Sequence, residues 1–254
     1  MPRADLAPVL RSPVGPAAPR LLTLGSRPGP LRLPQDAPHV WLADAAARPA
    51  SLGALARALL DEAELERAAA LHRPSDRRCY LTAHIALRVL LGAHLGLTPD
   101  RVRFRREPCP CCGEPHGRPA LACASPAGPL HFSLSHSGDL ALLAFAATPV
   151  GVDVQTTGSA EEADEVTGVL HPKEEAELAA CGAAGRPAAF ARAWVRKEAY
   201  LKGLGTGLAR SPSLDYLGTG AGAVSSPPGW RVGDIAVPDG YAAAVAVRRP
   251  APPL

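Results

Sequence analysis

A chain of 254 residues, 47% hydrophobic and 20% charged, has enough apolar material for one large domain or two small ones sharing a core. Its net charge of +3 is too small to argue for a nucleic-acid binder, although it leaves room for a local basic patch that an anionic ligand would need. No membrane segment is expected: the longest charge-free apolar stretch, Leu140 to Val152, is broken by Pro149 and Gly151 and falls short of the about 20 residues a spanning helix needs, and Met1-Pro2-Arg3-Ala4-Asp5 lacks the apolar core of a secretory signal.

Residues 1–37, rich in Pro, Gly, Arg and Ala without sustained period, read as a flexible leader. His39 to Ala43 reads as a short strand. From Ser51 to Leu71 the leucines 52, 55, 59 and 65 recur at helical spacing and predict an amphipathic pair of helices. A third helix, capped at Ser75 or Asp76, runs through Tyr80, Ile85 and Leu91 to Gly96. A basic stretch, Arg101 to Arg106, and a Cys/Pro/Gly segment over 108–119 follow as breakers. His131 to Ser135, Leu140 to Ala147 and Val150 to Gln155 then predict three adjoining strands, an antiparallel meander. Helices are expected over Pro172 to Ala180 and Ala188 to Leu204, and two last strands, Trp230 to Val237 and Tyr241 to Val247, meet at the turn Pro238-Asp239-Gly240. This succession favours a mixed α+β fold with a split near Thr148-Pro149, giving subdomains 38–148 and 149–254.

Three places could carry chemistry. Asp153 and Gln155 lie on the polar face of a strand whose other face is Val150, Val152 and Val154, and a carboxylate there is costly unless it is paired. In Trp194-Val195-Arg196-Lys197-Glu198-Ala199-Tyr200-Leu201-Lys202, Glu198 and Lys202 share one helix face, four residues apart. Ser135-His136 closes a strand but lacks the G-x-S-x-G context of a hydrolase nucleophile. Singly, each has an ordinary reading: an edge salt bridge, an exposed ion pair, a satisfied turn. Together, two carboxylates able to hold Mg²⁺ and two cationic groups able to meet phosphates are equipment for phosphoryl transfer.

In this order the segments Ser135-His136, Gly151-Val152-Asp153-Val154-Gln155 and Trp194 with Lys197-Glu198 and Lys202 resemble the 4′-phosphopantetheinyl transferases of the surfactin-synthetase-activating (Sfp) type, over residues 72–208. The resemblance implies a pseudo-twofold pair of similar α+β subdomains with coenzyme A in the cleft between them. It implies a Mg²⁺-dependent holo-[acyl-carrier-protein] synthase activity, in which phosphopantetheine passes to a serine of an acyl or peptidyl carrier protein and 3′,5′-ADP is released. By the same resemblance Asp153 and Glu198 are metal ligands, and Ser135, His136, Lys202, Arg118, Arg73 and Arg78 contact coenzyme A. Glu174 is then the carboxylate that helps deprotonate the carrier serine. Gln155 departs from the family, which carries an acid there; an amide oxygen can ligate but brings no charge. The expected partners are carrier proteins and coenzyme A, with neither nucleic acid nor membrane, and the expected state is a cytoplasmic monomer.

The six cysteines do not form an evenly spaced disulfide framework, in keeping with a reducing compartment. Three of them, in Cys109-Pro110-Cys111-Cys112-Gly113-Glu114-Pro115-His116, resemble half of a zinc knuckle. A zinc ion held by Cys109, Cys111, Cys112 and His116 is the less favoured reading, a thiol-bearing loop before Arg118 the plainer one. Two rival identities follow: a small zinc-dependent binding module using Arg101, Arg103, Arg105 and Arg106, and an inactive member of the transferase fold.

Overall fold

The computed structural model describes residues 18–26, 28–34, 37–47, 49–125, 128–158, 168–222 and 225–250. Its elements are β1 (Arg20–Leu22), β2 (His39–Asp44), α1 (Leu52–Leu59), α2 (Glu62–Ala69), α3 (Pro74–Leu95), β3 (Phe104–Arg106), β4 (Pro119–Leu121), β5 (His131–Ser137), β6 (Leu140–Ala146), β7 (Val150–Thr156), α4 (Pro172–Ala180), α5 (Arg186–Leu204), β8 (Trp230–Asp234) and β9 (Tyr241–Arg248). One sheet has the order β1-β2-β6-β5, a second the order β7-β9-β8, and β3 with β4 forms a separate hairpin.

The layers follow from which faces are apolar. Strand β6 is buried at every position, because both of its faces are covered. Ala141, Leu143 and Phe145 meet Ala83, Leu87, Leu90 and Leu91 of α3. Leu140, Leu142 and Ala144 on the opposite face meet Val152 and Val154 of β7 and Val245 of β9. Helix α5 closes the far side, with Val195 and Ala199 against Ala242, Ala244 and Ala246. At about 1.5–3 kcal/mol for each large aliphatic or aromatic side chain buried, these three interfaces supply the bulk of the hydrophobic stabilisation.

The α+β class is the one expected, and two details are corrected. Strand β7 does not complete a meander with β5 and β6: it pairs antiparallel with β9 in the other sheet. Its N–H groups on the β5 side are met by side chains, Ser133 Oγ accepting from Val152 N–H (3.1 Å), Ser135 Oγ from Val154 N–H (3.4 Å) and Ser137 Oγ from Thr156 N–H (3.2 Å). Three serines at a period of two thus join the sheets where a backbone ladder was expected. Secondly, β1 lies within the segment read as a flexible leader, where it pairs parallel with β2, and Leu31 N–H donates to Ala93 O of α3. Leu22, Leu24, Leu31 and Leu33 attach this segment to the core; residues 1–17 of the expected leader lie outside the described residues. Helix α3 is capped at Arg73, two or three residues before the expected Ser75 or Asp76, with Pro74 at the first helical position.

Candidate active site

The site is built where α5 crosses β7. The strand face turned to the helix carries Gly151, and its partners in register on β9 are small: Gly151 opposite Ala246, Asp153 opposite Ala244, Gln155 opposite Ala242. A Cβ at Gly151 would stand 2.0 Å from Ala199 O and 2.4 Å from Gly203 N, so only glycine lets the helix backbone come this close. That contact lays the Glu198/Lys202 face of α5 over Asp153. Lys202 Nζ lies 2.5 Å from Asp153 Oδ1 as an ion pair, and Ser135 Oγ–H donates to the same oxygen (2.7 Å). Asp153 is 1% exposed, and its Oδ2 is buried without a hydrogen-bond partner among the described residues.

Glu198, half-buried, has its pKa raised, first by burial and also by the charge of Asp153, with Lys202 opposing. Asp153, with an orphaned buried oxygen, and Glu198, near enough for the charge of Asp153 to raise its pKa, offer hard oxygen donors of the kind a divalent cation such as Mg²⁺ takes. Gln155, half-buried on the same strand face as Asp153, could add its amide oxygen. His136, exposed at the end of β5, packs edge-on against Tyr80, ring centroids 6.1 Å apart. Burial, then the charges of His84 and Lys202, lower its pKa.

Beside this cluster a cavity of about 830 Å³ opens between β3–β4, β5 and the end of α5. Its lining includes the cations Arg105, Arg106, Arg118 and Lys202, the imidazoles of His84 and His116, and one carboxylate, Glu64. Glu64 is itself held by Arg88 Nε (2.7 Å) and His84 Nδ1 (2.8 Å), so the cavity as a whole is cationic and suits a polyanion. Arg118 reaches across it: Nε pairs with Glu107 Oε2 (2.7 Å) and a terminal N–H donates to Gly203 O (2.8 Å).

Of the residues expected in the site, Asp153, Glu198, Lys202 and Ser135 come together, Gln155 follows along the strand, and Arg118 and Lys202 line the cavity. Ser135 holds Asp153 and Lys202 in place. Its hydroxyl donates to Asp153 and accepts from Lys202 Nζ (3.2 Å) and Val154 N–H, which uses its whole hydrogen-bonding capacity. Glu174, expected as the carboxylate that helps deprotonate the carrier serine, is fully buried, and both of its oxygens are engaged within the protein. Oε2 pairs with Lys197 Nζ (2.7 Å) and caps His171 N–H (3.0 Å), while Oε1 accepts from Leu217 N–H (2.8 Å) and Gly218 N–H (3.1 Å). It holds α4, α5 and the 212–218 loop together and has no lone pair left for a substrate proton. Arg78 Nε and one terminal nitrogen are engaged by Ala45 O and Asp139 Oδ1 (3.1 Å each), tying α3 to the β5–β6 turn, and Arg73 is exposed at the start of α3; neither lines the cavity.

Sequence reasoning missed Arg105, Arg106, His84 and Glu64 as cavity residues. The alternation of Arg103 and Arg105 against Phe104 was the available signal, but three-residue strands are too short to show a period.

With this geometry in hand, the comparisons agree. Residues 149–227, which hold Asp153, Glu198 and Lys202, match the profile of the 4′-phosphopantetheinyl transferase superfamily. The chain is 30% identical over 236 residues to the 4′-phosphopantetheinyl transferase HetI of Nostoc sp., covering 91% of this chain and 92% of that one. It is 30% identical over 178 residues to a putative 4′-phosphopantetheinyl transferase, slr0495, of Synechocystis sp. (69% and 67% covered). It is also 30% identical over 162 residues to a phosphopantetheinyl transferase of Thraustochytrium sp. (59% and 54%). The chain belongs to the phosphopantetheinyl transferase family. The small zinc-dependent module is thereby disfavoured as an identity, and among the described residues no helix is long and apolar enough to cross a membrane.

Proposed function

We propose that this chain is a transferase of the surfactin-synthetase-activating type, moving the 4′-phosphopantetheine of coenzyme A to a serine of an acyl or peptidyl carrier protein. The observation that carries this reading is the apposition of Asp153, Glu198 and Lys202 at the edge of a cavity lined by Arg105, Arg106 and Arg118. Phosphoryl transfer leaves little covalent work for a protein, and its demands are positioning and charge neutralisation. Lys202 and Arg118, each held by a carboxylate, present fixed positive charge to a pyrophosphate, and His136 offers it an N–H donor. Asp153 and Glu198, with Gln155 beside them, would hold Mg²⁺, which when bound neutralises phosphate oxygens and the charge of the leaving nucleotide. Glu174, buried with both oxygens engaged, is not placed to take the proton of the attacking hydroxyl, and Glu198 is committed as a metal ligand, so that proton leaves to solvent. The serine oxygen forms its bond to the phosphorus next to pantetheine as the bond from that phosphorus to 3′,5′-ADP breaks.

The test is incubation with coenzyme A, Mg²⁺ and a panel of apo carrier proteins, read by intact mass. A gain of one phosphopantetheine on at least one carrier, absent without Mg²⁺, is expected. No gain on any carrier overturns the reading.

A further inference from the structure

At the tip of the β3–β4 hairpin, the sulfurs of Cys109 and Cys112 and a ring nitrogen of His116 all lie within 4.8 Å of one another. Cys112 Sγ and His116 Nε2 are already in contact at 2.9 Å. The turn that converges them is tightly determined. Gly113 N–H donates to Cys109 O (2.8 Å) and Cys109 N–H to Glu114 O (2.8 Å), with Gly113 at φ +77°, a conformation that favours glycine. At the base of the loop Gly117 N–H donates to Glu107 O (2.9 Å), and a Cβ at Gly117 would stand 2.4 Å from that oxygen. The strands below are three residues each, and so short a ribbon is marginal without a staple.

We propose that this loop binds one Zn²⁺ through Cys109, Cys112 and His116, with solvent in the fourth position. Two thiolates and an imidazole are a borderline-soft donor set, unlike the all-oxygen set at Asp153 and Glu198, and tetrahedral Zn²⁺ takes sulfur at about 2.3 Å and nitrogen at about 2.0–2.1 Å. Those bond lengths put neighbouring ligand atoms roughly 3.5–3.8 Å apart, within reach of side-chain rotation from the present positions. Binding releases the two thiol protons. Cys111, the neighbour, is outside the converging set and its side chain is exposed. The staple lies two residues from Arg118, which spans the cavity. If the transferase reading holds, zinc therefore positions that guanidinium, and its loss weakens coenzyme A binding (a higher KM) more than the chemical step; the metal site itself does not depend on that reading.

The test is metal analysis of the tag-free full chain, produced with zinc supplementation and purified under reductant, alongside Cys109→Ser, Cys112→Ser, Cys111→Ser and Cys123→Ser. Expected are about one zinc per chain in the wild type, Cys111→Ser and Cys123→Ser, with a loss of tenfold or more in Cys109→Ser and Cys112→Ser. Cobalt exchanged into the wild-type protein, which reports even where a variant fails to fold, should show thiolate-to-metal charge transfer and tetrahedral visible bands. A wild type with no more zinc than a thiol-blocked control, a reduced preparation that still forms a Cys109–Cys112 disulfide in place of metal, or zinc loss in Cys111→Ser overturns the assignment.

Discussion

Asp153 is neutralised on one oxygen and left open on the other: Lys202 Nζ stands 2.5 Å from Oδ1, while Oδ2 is buried with no hydrogen-bond partner among the described residues. An orphaned acceptor at a 1% exposed carboxylate costs stability, and proteins keep such groups where a ligand completes them. Asp153→Asn preserves the shape and the Ser135 hydrogen bond but removes the charge. It should lower transfer to carrier by at least about 10²-fold while unfolding at nearly the wild-type urea midpoint. Lys202→Met strands the buried charge and should cost about 3 kcal/mol as well as activity. In Asp153→Asn/Lys202→Met much of that cost should return, measured as a non-additive double-mutant cycle.

Glu198 gives the metal site a separate readout. Its folded pKa is raised, so the native state holds the proton more tightly than the unfolded chain, and stability falls as pH rises through and above the ordinary value of 4.5. Glu198→Gln removes that penalty: at pH 7 the metal-free variant should melt at a higher temperature than wild type, although its transfer rate falls by about 10²-fold or more. Coenzyme A with Mg²⁺ should raise the melting temperature of the wild type and leave that of the variant nearly unchanged. An equal rise in both would remove Glu198 from the site.

The close approach of α5 to β7 is tested at Gly151. The Cβ of Gly151→Ala would meet Ala199 O and Gly203 N, both backbone atoms, so relief requires the helix to move. A destabilisation of about 3 kcal/mol is expected, with transfer lost out of proportion to folded protein, because the same shift draws Glu198 and Lys202 off Asp153. Chemical denaturation and activity at a temperature where the variant is folded separate the two effects.

What was legible in the sequence was what a period or a fixed spacing records. The amphipathic α1 and α2, the long α3, the alternation of β7 and the placing of Glu198 and Lys202 four apart on one helix all appear where expected, with Lys202 paired to Asp153. What was not legible depends on long-range partners. Nothing local says that β7 pairs with β9, nor that Ser133, Ser135 and Ser137 meet its other edge, because a strand that loses its neighbour reads the same as one that keeps it. The buried pairing of Glu174 with Lys197 was hidden for the same reason. Lys197 adjoins Glu198 in sequence, but on a helix consecutive residues point about 100° apart, and Lys197 turns into the protein to Glu174, Pro212 O and Asp215 O.

That pair makes a prediction opposite to the one its sequence suggested. If Glu174 is structural, Glu174→Gln leaves Lys197 buried without a counter-charge and should cost about 3–5 kcal/mol of stability. The fraction that remains folded should turn over within a few-fold of wild type. A stable Glu174→Gln protein with a transfer rate reduced by about 10²-fold or more would restore Glu174 as the base. Urea melts paired with rates at low temperature decide between the two.

The first core supplies a pH dependence remote from the site. His94 of α3 is 9% exposed, against Phe145 with ring centroids 5.1 Å apart and stacked on His39 at 6.0 Å. Burial, then the charges of His39 and Arg20, push its pKa down from 6.5 to about 4; the nearby Leu31 backbone favours the proton, yet neither ring nitrogen reaches hydrogen-bond geometry. The native state therefore holds His94 neutral where the unfolded chain would protonate it. Its contribution is complete above pH 6.5 and is lost as pH falls through about 4, a total of about 3 kcal/mol. Between pH 6.5 and 5, before most carboxylates titrate, about 2 kcal/mol of that loss should already appear in the wild type. His39 is lowered too and contributes in the same direction, so the comparison with His94→Phe isolates the buried ring. The variant keeps an aromatic against Phe145 but has no proton to accept, and its stability should fall by about 2 kcal/mol less over that interval. Parallel curves for the two proteins in urea melts across this pH range would show that His94 does not couple acid to unfolding.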